Sequence, residues 1–299
     1  MNKLLLTVFL LTSFQAFAQF DYDLFKSYTQ KTTQERNKEI INVTEYQQDK
    51  ELWIKTSLQQ FNLRGLPTTL IQYDQHGKEA HKKKFVYDSV ECISKVEGYK
   101  NGTHEETTEF QVNSSRQIIS YTHYVYSSYD GEKMLVWKTI LEYNPNGTIK
   151  KTVKLEGDKK DTVEINFYDT AEILTRSLWN QGGLRTTKIE YIWNKNKTEM
   201  KEVHYENDST AYNTITHKYI DGKEIEKVDS LTSRQPFYWK YDDRGRIIET
   251  NEQFFYIQYF HYNQDGYVTT KIINVLFSDS DEKNLPKKIQ FKYEYKFRN

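Results

Sequence analysis

The segment Lys288-Ile-Gln-Phe-Lys-Tyr-Glu-Tyr-Lys-Phe-Arg298 alternates polar and apolar side chains along its whole length. A period of two residues puts the apolar groups on one face of an extended chain and the polar groups on the other, which no helix does. Val268–Phe277 is a second strand candidate, and a polar connection made of residues 278–284 and Pro286 lies between the two. The C-terminal region is therefore predicted to form a closing β-hairpin with a long loop.

A five-residue motif marks the corners between the predicted strands: Tyr, then Asp or Asn, two further residues, and Gly. The Asp or Asn side chain can bind backbone amides further along, as in an Asx turn, and the Gly allows a positive φ. Four copies are complete, and they begin at Tyr73, Tyr143, Tyr241 and Tyr262. Weaker copies include Tyr129, Tyr168 and Tyr219. Related tyrosines recur about every twenty-odd residues between 143 and 262, which is typical of a repeat architecture with one hairpin per unit.

These units and their spacing resemble the YD repeats of Rhs-type secreted and cell-surface proteins, best between Tyr143 and Tyr262. The resemblance implies an all-β fold in which antiparallel β-hairpin repeats form an extended or coiled sheet outside the cytoplasm. In that family the repeats are often proposed to bind carbohydrate or to form a shell around a toxin. This chain is shorter than the large members, so we do not expect the shell role.

The N-terminus predicts export. A basic start at Lys3 precedes the mainly apolar run Leu4–Phe14 and the small residues Ala16 and Ala18, which are the parts of a signal peptide cleaved after Ala18. We therefore divide the chain into a signal peptide (1–18), an N-terminal arm with the first strands (19–65), and a repeat domain (66–299). The expected location is the periplasm, the cell surface or the exterior. No segment has the ~20 apolar residues of a transmembrane helix.

The first strands of the mature chain are predicted at Ile40–Tyr46 and Leu52–Gln60, and Tyr87–Ile93 is also predicted to be a strand. This last segment contains Cys92, the only cysteine, so an internal disulfide framework is excluded. Cys92 is expected to be a small packed residue.

Composition argues against several functions. The 42 Lys and Arg residues balance the 42 Asp and Glu residues, so no basic face for nucleic acid is expected. The seven histidines form no H-E-x-x-H pattern, and the sequence has no C-x-x-C pair, nucleophile elbow or phosphate-binding glycine loop. We predict no metal, no cofactor and no enzymatic activity.

Two aromatic segments, Phe237–Tyr241 and Phe254–Tyr262, provide the candidate ligand site. In the second, both faces of a strand are aromatic, so the strand is either buried on both sides or presents one side to a ligand. Sugars stack on such rings, whereas the alternative is that the rings form the core of the sheet. The candidate binding residues are Tyr238, Trp239, Tyr241, Tyr256 and Tyr259.

A second pattern, Asp followed by Ser or Thr and a small or aliphatic residue, occurs five times. It resembles the acceptor signature for O-glycosylation of exported proteins in one Gram-negative phylum. The alternative is turn chemistry, because Asp-Ser and Asp-Thr are common at strand ends. The candidate acceptors are Ser89, Thr162, Thr170, Ser209 and Ser230.

The sequence therefore predicts an exported, non-enzymatic β-repeat protein that binds a glycan or a partner in the cell envelope. Two alternatives stay open: a secreted hydrolase that acts on polysaccharide, and an outer-membrane β-barrel. The oligomeric state is not predicted.

Overall fold

The computed structural model describes residues 38–157, 159–180, 186–206, 210–231, 237–253, 256–275 and 288–298, which form twenty β-strands. The first ten are β1 (Ile40–Asp49), β2 (Leu52–Phe61), β3 (Pro67–Tyr73), β4 (Glu79–Tyr87), β5 (Ile93–Lys100), β6 (Thr103–Val112), β7 (Ile118–Tyr126), β8 (Lys133–Tyr143), β9 (Ile149–Glu156) and β10 (Lys159–Tyr168). The last ten are β11 (Leu174–Asn180), β12 (Thr186–Trp193), β13 (Glu199–Glu206), β14 (Thr210–Ile220), β15 (Lys223–Asp229), β16 (Phe237–Tyr241), β17 (Ile247–Gln253), β18 (Tyr256–Tyr262), β19 (Val268–Val275) and β20 (Lys288–Phe297).

Each strand pairs antiparallel with the next one along the chain, and β1 also pairs with β20, so the sheet closes on itself. Across this seam Val43 lies opposite Tyr295 and Glu45 lies opposite Tyr293. The predicted all-β fold of antiparallel hairpins is confirmed, including the strands predicted from Ile40 and Leu52. The leading prediction was an extended or coiled sheet, and closure was expected only in the barrel alternative, so the β1–β20 pairing is the main finding about the architecture.

The seam carries its own polar contacts. The Tyr293 hydroxyl donates to a carboxylate oxygen of Glu45 at 2.7 Å. The Arg298 guanidinium donates to the backbone carbonyl oxygens of Ile40 at 3.1 Å and Phe61 at 3.0 Å. One cation thus links the end of the last strand to the two first strands.

The sheet has two different faces, because successive side chains of a strand point to opposite sides of the sheet. Residues that lie opposite each other on paired strands share a face, so each face can be followed from strand to strand. The aromatic face, as we call it, includes Trp137, Tyr143, Ile189, Ile273 and Phe291. The other face, called the charged face, includes Lys84, Glu97, Lys188, Glu190 and Lys292.

Most buried apolar strand residues lie on the aromatic face, among them Ile93, Leu141, Ile189, Ile273 and Phe291. Side chains converge on the concave side of a closed sheet and spread apart on the convex side. We therefore assign the aromatic face to the interior.

Most corners between even and odd strands have the predicted Asx-turn geometry, whereas the β14–β15 corner is a two-residue turn at Asp221 and Gly222. At the β16–β17 corner the Asp242 carboxylate accepts the backbone N–H groups of Arg244 at 3.0 Å and Arg246 at 2.9 Å, and Gly245 has a φ of 73°. Non-glycine residues occupy the same left-handed position at other corners, namely Glu91, Arg116, Glu172 and Lys197.

The prediction of a strand across Tyr87–Ile93 was wrong, because this segment is one of these corners. Glu91 adopts a φ of 67°, and the Asp88 carboxylate accepts the backbone N–H groups of Val90 at 3.0 Å and Cys92 at 2.8 Å. The side-chain cap holds the turn although the motif's glycine is missing.

Tyrosines at the ends of even-numbered strands join neighbouring corners. Each lies on the aromatic face and donates its hydroxyl to a backbone carbonyl at or next to the start of the preceding strand, as Tyr143 does to Ile118 at 2.6 Å. We call these residues the latch tyrosines, and they are Tyr87, Tyr143, Tyr168, Tyr241, Tyr262 and Tyr295.

Candidate functional site

The structure divides the five candidate binding residues between the two faces. Trp239, Tyr241 and Tyr256 lie on the aromatic face, whereas Tyr238 and Tyr259 lie on the charged face. The five side chains therefore do not form one surface. Phe254 and Phe255, which belong to the same predicted aromatic run, lie outside the described residues.

On the aromatic face, Trp239 is in register with Thr250, and Thr250 is in register with Gln258. Thr250 is 2% exposed, and its hydroxyl is buried without a hydrogen-bond partner among the residues that the structure describes. Tyr256 packs against the cluster of Ile273, Ile289 and Phe291 on the same face. This row combines an indole ring, an amide and an unsatisfied hydroxyl.

Tyr241 and Tyr238 have local structural partners. Tyr241 is a latch tyrosine, since its hydroxyl donates to the Glu224 carbonyl at 2.8 Å. The Tyr238 hydroxyl donates to the Glu249 carboxylate at 2.7 Å, and the Lys240 ammonium donates to the same oxygen at 2.9 Å. Burial and this carboxylate both raise the pKa of Tyr238.

Similar groups of Lys, Tyr and Glu recur on the charged face. The Tyr205 hydroxyl donates to Glu190 at 2.8 Å, and the Lys188 ammonium lies 3.2 Å from the same carboxylate and 3.9 Å from the centre of the Tyr205 ring. Tyr99 donates to Glu97 at 2.8 Å in another such group. The polar groups of these clusters bind one another.

Four tryptophans lie on the aromatic face: Trp137, Trp179, Trp193 and Trp239. Trp137 stacks on His123 with ring centroids 5.1 Å apart, and Trp193 lies 5.1 Å from the Tyr219 ring. Sequence reasoning selected only Trp239, because the other three lie in strands with few neighbouring aromatic residues.

An ionised cluster crosses β13, β14 and β15 on the aromatic face. Glu202 contacts the imidazole nitrogens of His204 at 2.6 Å and His217 at 3.3 Å, and the other nitrogen of His217 lies 2.5 Å from Glu224. Burial opposes the charge on both partners, but their mutual hydrogen bonds outweigh it. The pKa of Glu202 is lowered to about 2, and the pKa of His217 is raised to about 8.

A metal centre is not apparent in the described part of the chain, where no group of three or more His, Cys, Asp or Glu side chains is arranged to hold an ion. His217 instead acts as the cation between the two carboxylates. Among the described residues there is no helix that is long and apolar enough to cross a membrane.

The candidate glycosylation acceptors occupy different settings. Ser89 and Thr170 are exposed in corners whose Asp residues cap the turn, which fits the turn-chemistry interpretation. Ser230 is exposed, and its hydroxyl donates to Asn213 at 2.8 Å. Ser209 and the side chain of Thr162 lie outside the described residues. Modification at all five positions remains a prediction.

No protein-family model matches the chain, and no curated protein does. Solved structures give distant likenesses. The Tc holotoxin pore of Photorhabdus luminescens is 9% identical with a TM-score of 0.33, and a complex named TcdB2-TccC3-Cdc42 is 10% identical with a TM-score of 0.32. Both alignments cover 74% of this chain, which spans only 15% and 16% of those two chains.

A porin-like protein from Bacteroides uniformis is 7% identical with a TM-score of 0.35, and the alignment covers 86% of this chain and 96% of the other. All three TM-scores are below 0.5, a level at which a likeness assigns neither a family nor a function. The repeated hairpins themselves fit a β-repeat protein.

Proposed function

We propose that the protein is exported and binds a glycan on the aromatic face of its closed sheet, without catalysing a reaction. The observation that carries this proposal is the placement of four tryptophans on one face, where Trp137, Trp179 and Trp239 each have a polar side chain in register beside them. Pyranose rings stack on indole through their C–H faces, while a few placed polar groups bind the hydroxyls. The membership of the YD-repeat family is part of the same proposal.

The charged face is less suited to this role. Its tyrosine hydroxyls donate to neighbouring carboxylates, as in the Tyr205–Glu190 and Tyr238–Glu249 pairs, so a ligand would have to break existing bonds. On the aromatic face the buried Thr250 hydroxyl has no partner among the described residues, and a ligand hydroxyl would add a bond.

Binding tests this proposal directly. The mature protein is screened on a glycan array, and the affinity for each retained glycan is measured by calorimetry. We expect Trp239→Ala and Tyr256→Ala each to weaken binding at least tenfold. Trp53→Ala, on the charged face, is the matched control and should leave affinity within about twofold. If no glycan binds the wild-type protein, the proposed function is wrong.

Export is tested separately. The signal peptide and its cleavage after Ala18 lie outside the described residues, so this part rests on the sequence. Mass spectrometry of the protein recovered from the periplasm or medium should show an N-terminus at Gln19. Retention of Met1 would contradict export by this route.

An outer-membrane barrel is the second candidate, and closure of the sheet is the observation that favours it. Such a barrel needs a continuous apolar belt on its lipid-facing side. The charged face carries Lys292 and Glu294 in mid-strand, and the aromatic face carries the ionised Glu202 and His217. Extraction from membranes only by detergent would favour the barrel, whereas recovery in buffer favours the soluble binding protein.

A further inference from the structure

A polar island interrupts the aromatic face where β9, β10 and β11 lie side by side. Thr152, Glu164 and Trp179 form one row in register across these strands, and Asn166 and Ser177 form the next row. Ser177 is completely buried and Asn166 is 9% exposed. This is one of the places where polar side chains interrupt the aromatic face, as Glu202 and His217 also do.

The island is already organised by hydrogen bonds. The Ser177 hydroxyl donates to the Asn166 side-chain oxygen at 2.6 Å, and the Asn166 amide donates to the Ile149 carbonyl at 3.3 Å. Burial raises the pKa of Glu164, although hydrogen bonds from Asn166 and Thr152 oppose that shift. The Glu164 carboxyl is therefore fixed in position by its neighbours.

One donor in the island is unused. The indole Nε1 of Trp179 is buried and has no hydrogen-bond partner within the described ranges, although the side chain as a whole is half-buried. A buried donor without an acceptor costs ~1–3 kcal/mol. An arriving acceptor would recover that cost, after a small rotation of the side chains that cover Nε1.

Aromatic rings border the island on its other side. Tyr121 interacts electrostatically with Glu164, and its ring meets the Trp137 ring edge to face with centroids 5.5 Å apart. The Tyr121 ring thus lies on one side of the fixed carboxyl, amide and hydroxyl, and the Trp179 indole lies on the other. That combination of stacking surfaces and convergent polar groups is typical of saccharide sites.

We infer that this island is a subsite for one neutral pyranose residue. One oxygen of the sugar accepts the Nε1–H bond at the edge of the Trp179 ring, and one of its hydroxyls donates to Glu164. An acidic sugar would bring a second negative charge beside Glu164, which like-charge repulsion disfavours in a poorly solvated place. The inference rests on the proposed glycan binding, and it adds the position and the charge of the sugar.

NMR of the five indole N–H groups provides the first test. Trp179→Phe removes one indole signal and so assigns it, and the mature protein is then titrated with maltoheptaose, cellohexaose, mannohexaose and an oligogalacturonate. We expect a neutral oligosaccharide to shift the Trp179 signal downfield as Nε1 gains an acceptor. A bound oligosaccharide that leaves this signal unchanged would overturn the inference.

Affinities give the second test. Trp179→Phe should lower the affinity for the neutral oligosaccharide at least tenfold. Glu164→Gln should reduce the ratio of the affinities for neutral and acidic oligosaccharides, because it removes the charge that repels the acidic one. Unchanged circular dichroism and melting temperature confirm that both variants fold.

The two proposals fail in different ways. Loss of binding in Trp239→Ala with full binding in Trp179→Phe would overturn the subsite but keep the proposed function. Absence of binding by the wild-type protein to any of these probes and to the glycan array would overturn both.

Discussion

Apart from Tyr293 at the seam, which donates to the Glu45 carboxylate, the tyrosines that join hairpins on the aromatic face have different hydrogen-bond partners from those of the charged face. On the aromatic face, Tyr143 and Tyr262 donate to backbone carbonyls of the neighbouring strand, at 2.6 Å and 2.7 Å. On the charged face, Tyr99 and Tyr205 donate to carboxylate side chains at 2.8 Å. The same residue type therefore holds hairpins together on one face and organises surface charge on the other.

This difference indicates where the stability of the sheet lies. A hydroxyl bonded to a half-buried backbone carbonyl leaves an unsatisfied acceptor when it is removed. A hydroxyl bonded to a carboxylate on the solvated face leaves a group that water can bind. We therefore expect the aromatic face to dominate the free energy of unfolding and the charged face to contribute little.

The largest effect is expected at a latch tyrosine. Tyr143→Ala removes a packed ring and the bond to the Ile118 carbonyl, so we expect a loss of ~3–5 kcal/mol in the free energy of unfolding. Tyr143→Phe keeps the ring and should lose ~1–2 kcal/mol. Urea unfolding followed by circular dichroism measures both values.

Tyr205→Phe is the matched control on the charged face, where the lost partner is the Glu190 carboxylate. Its expected cost in the free energy of unfolding is much smaller than that of Tyr143→Phe, because water can bind the carboxylate that loses the hydroxyl. Equal costs for Tyr143→Phe and Tyr205→Phe would show that the two faces do not differ in this way.

The next effect concerns pH and the His217 cluster of the aromatic face. The pKa of His217 is about 8, above its ordinary value of 6.5. Its contribution to stability is therefore complete below pH 6.5 and is lost as the pH rises through 8. This shift in the pKa of His217 corresponds to a contribution of about 2 kcal/mol to the free energy of unfolding.

Glu202 has the opposite pH dependence, because its pKa of about 2 lies below the ordinary value of 4.5. Its contribution is complete above pH 4.5 and is lost as the pH falls through 2. Of the other groups on this face, Lys227 is in register with His217 and is a cation near it. The cluster as a whole should stabilise the protein best between pH 4.5 and 6.5.

Urea unfolding at pH 6.0 and at pH 8.5 checks the histidine contribution. The free energy of unfolding of the wild-type protein should fall from pH 6.0 to pH 8.5. In His217→Gln the fall should be much smaller. His261→Gln, an exposed histidine on the charged face, should keep the wild-type decrease. A decrease that persists in His217→Gln would mean that another group titrates.

Local sequence patterns predicted several strands and the corners that carry the complete motif, because both depend on neighbouring residues. The closure of the sheet could not be predicted in this way, since it requires β1 to pair with β20, at the other end of the chain. The corner at Glu91 was missed for a different reason. A non-glycine residue can adopt positive φ at a modest energetic cost, so the Asp88 cap is sufficient without the glycine.

The candidate site was predicted only in part. Alternation within β16 separates Tyr238 from Trp239, and this could be read from the sequence. The row that joins Glu164 to Trp179 depends on the register between two strands, which the sequence of either strand does not determine.

The smallest effect is expected on the charged face. Lys188→Met keeps the aliphatic stem against the Tyr205 ring but removes the charge that lies 3.2 Å from Glu190. We expect a loss below ~1 kcal/mol at 20 mM salt, and almost none at 1 M salt, where the Debye length falls to ~3 Å. Tyr143→Phe should cost the same at both salt concentrations, because the lost bond joins two uncharged groups. Urea unfolding of both variants at the two salt concentrations measures these losses in the free energy of unfolding. A loss in Lys188→Met that does not depend on salt would show that the charged face also stabilises the sheet by buried contacts.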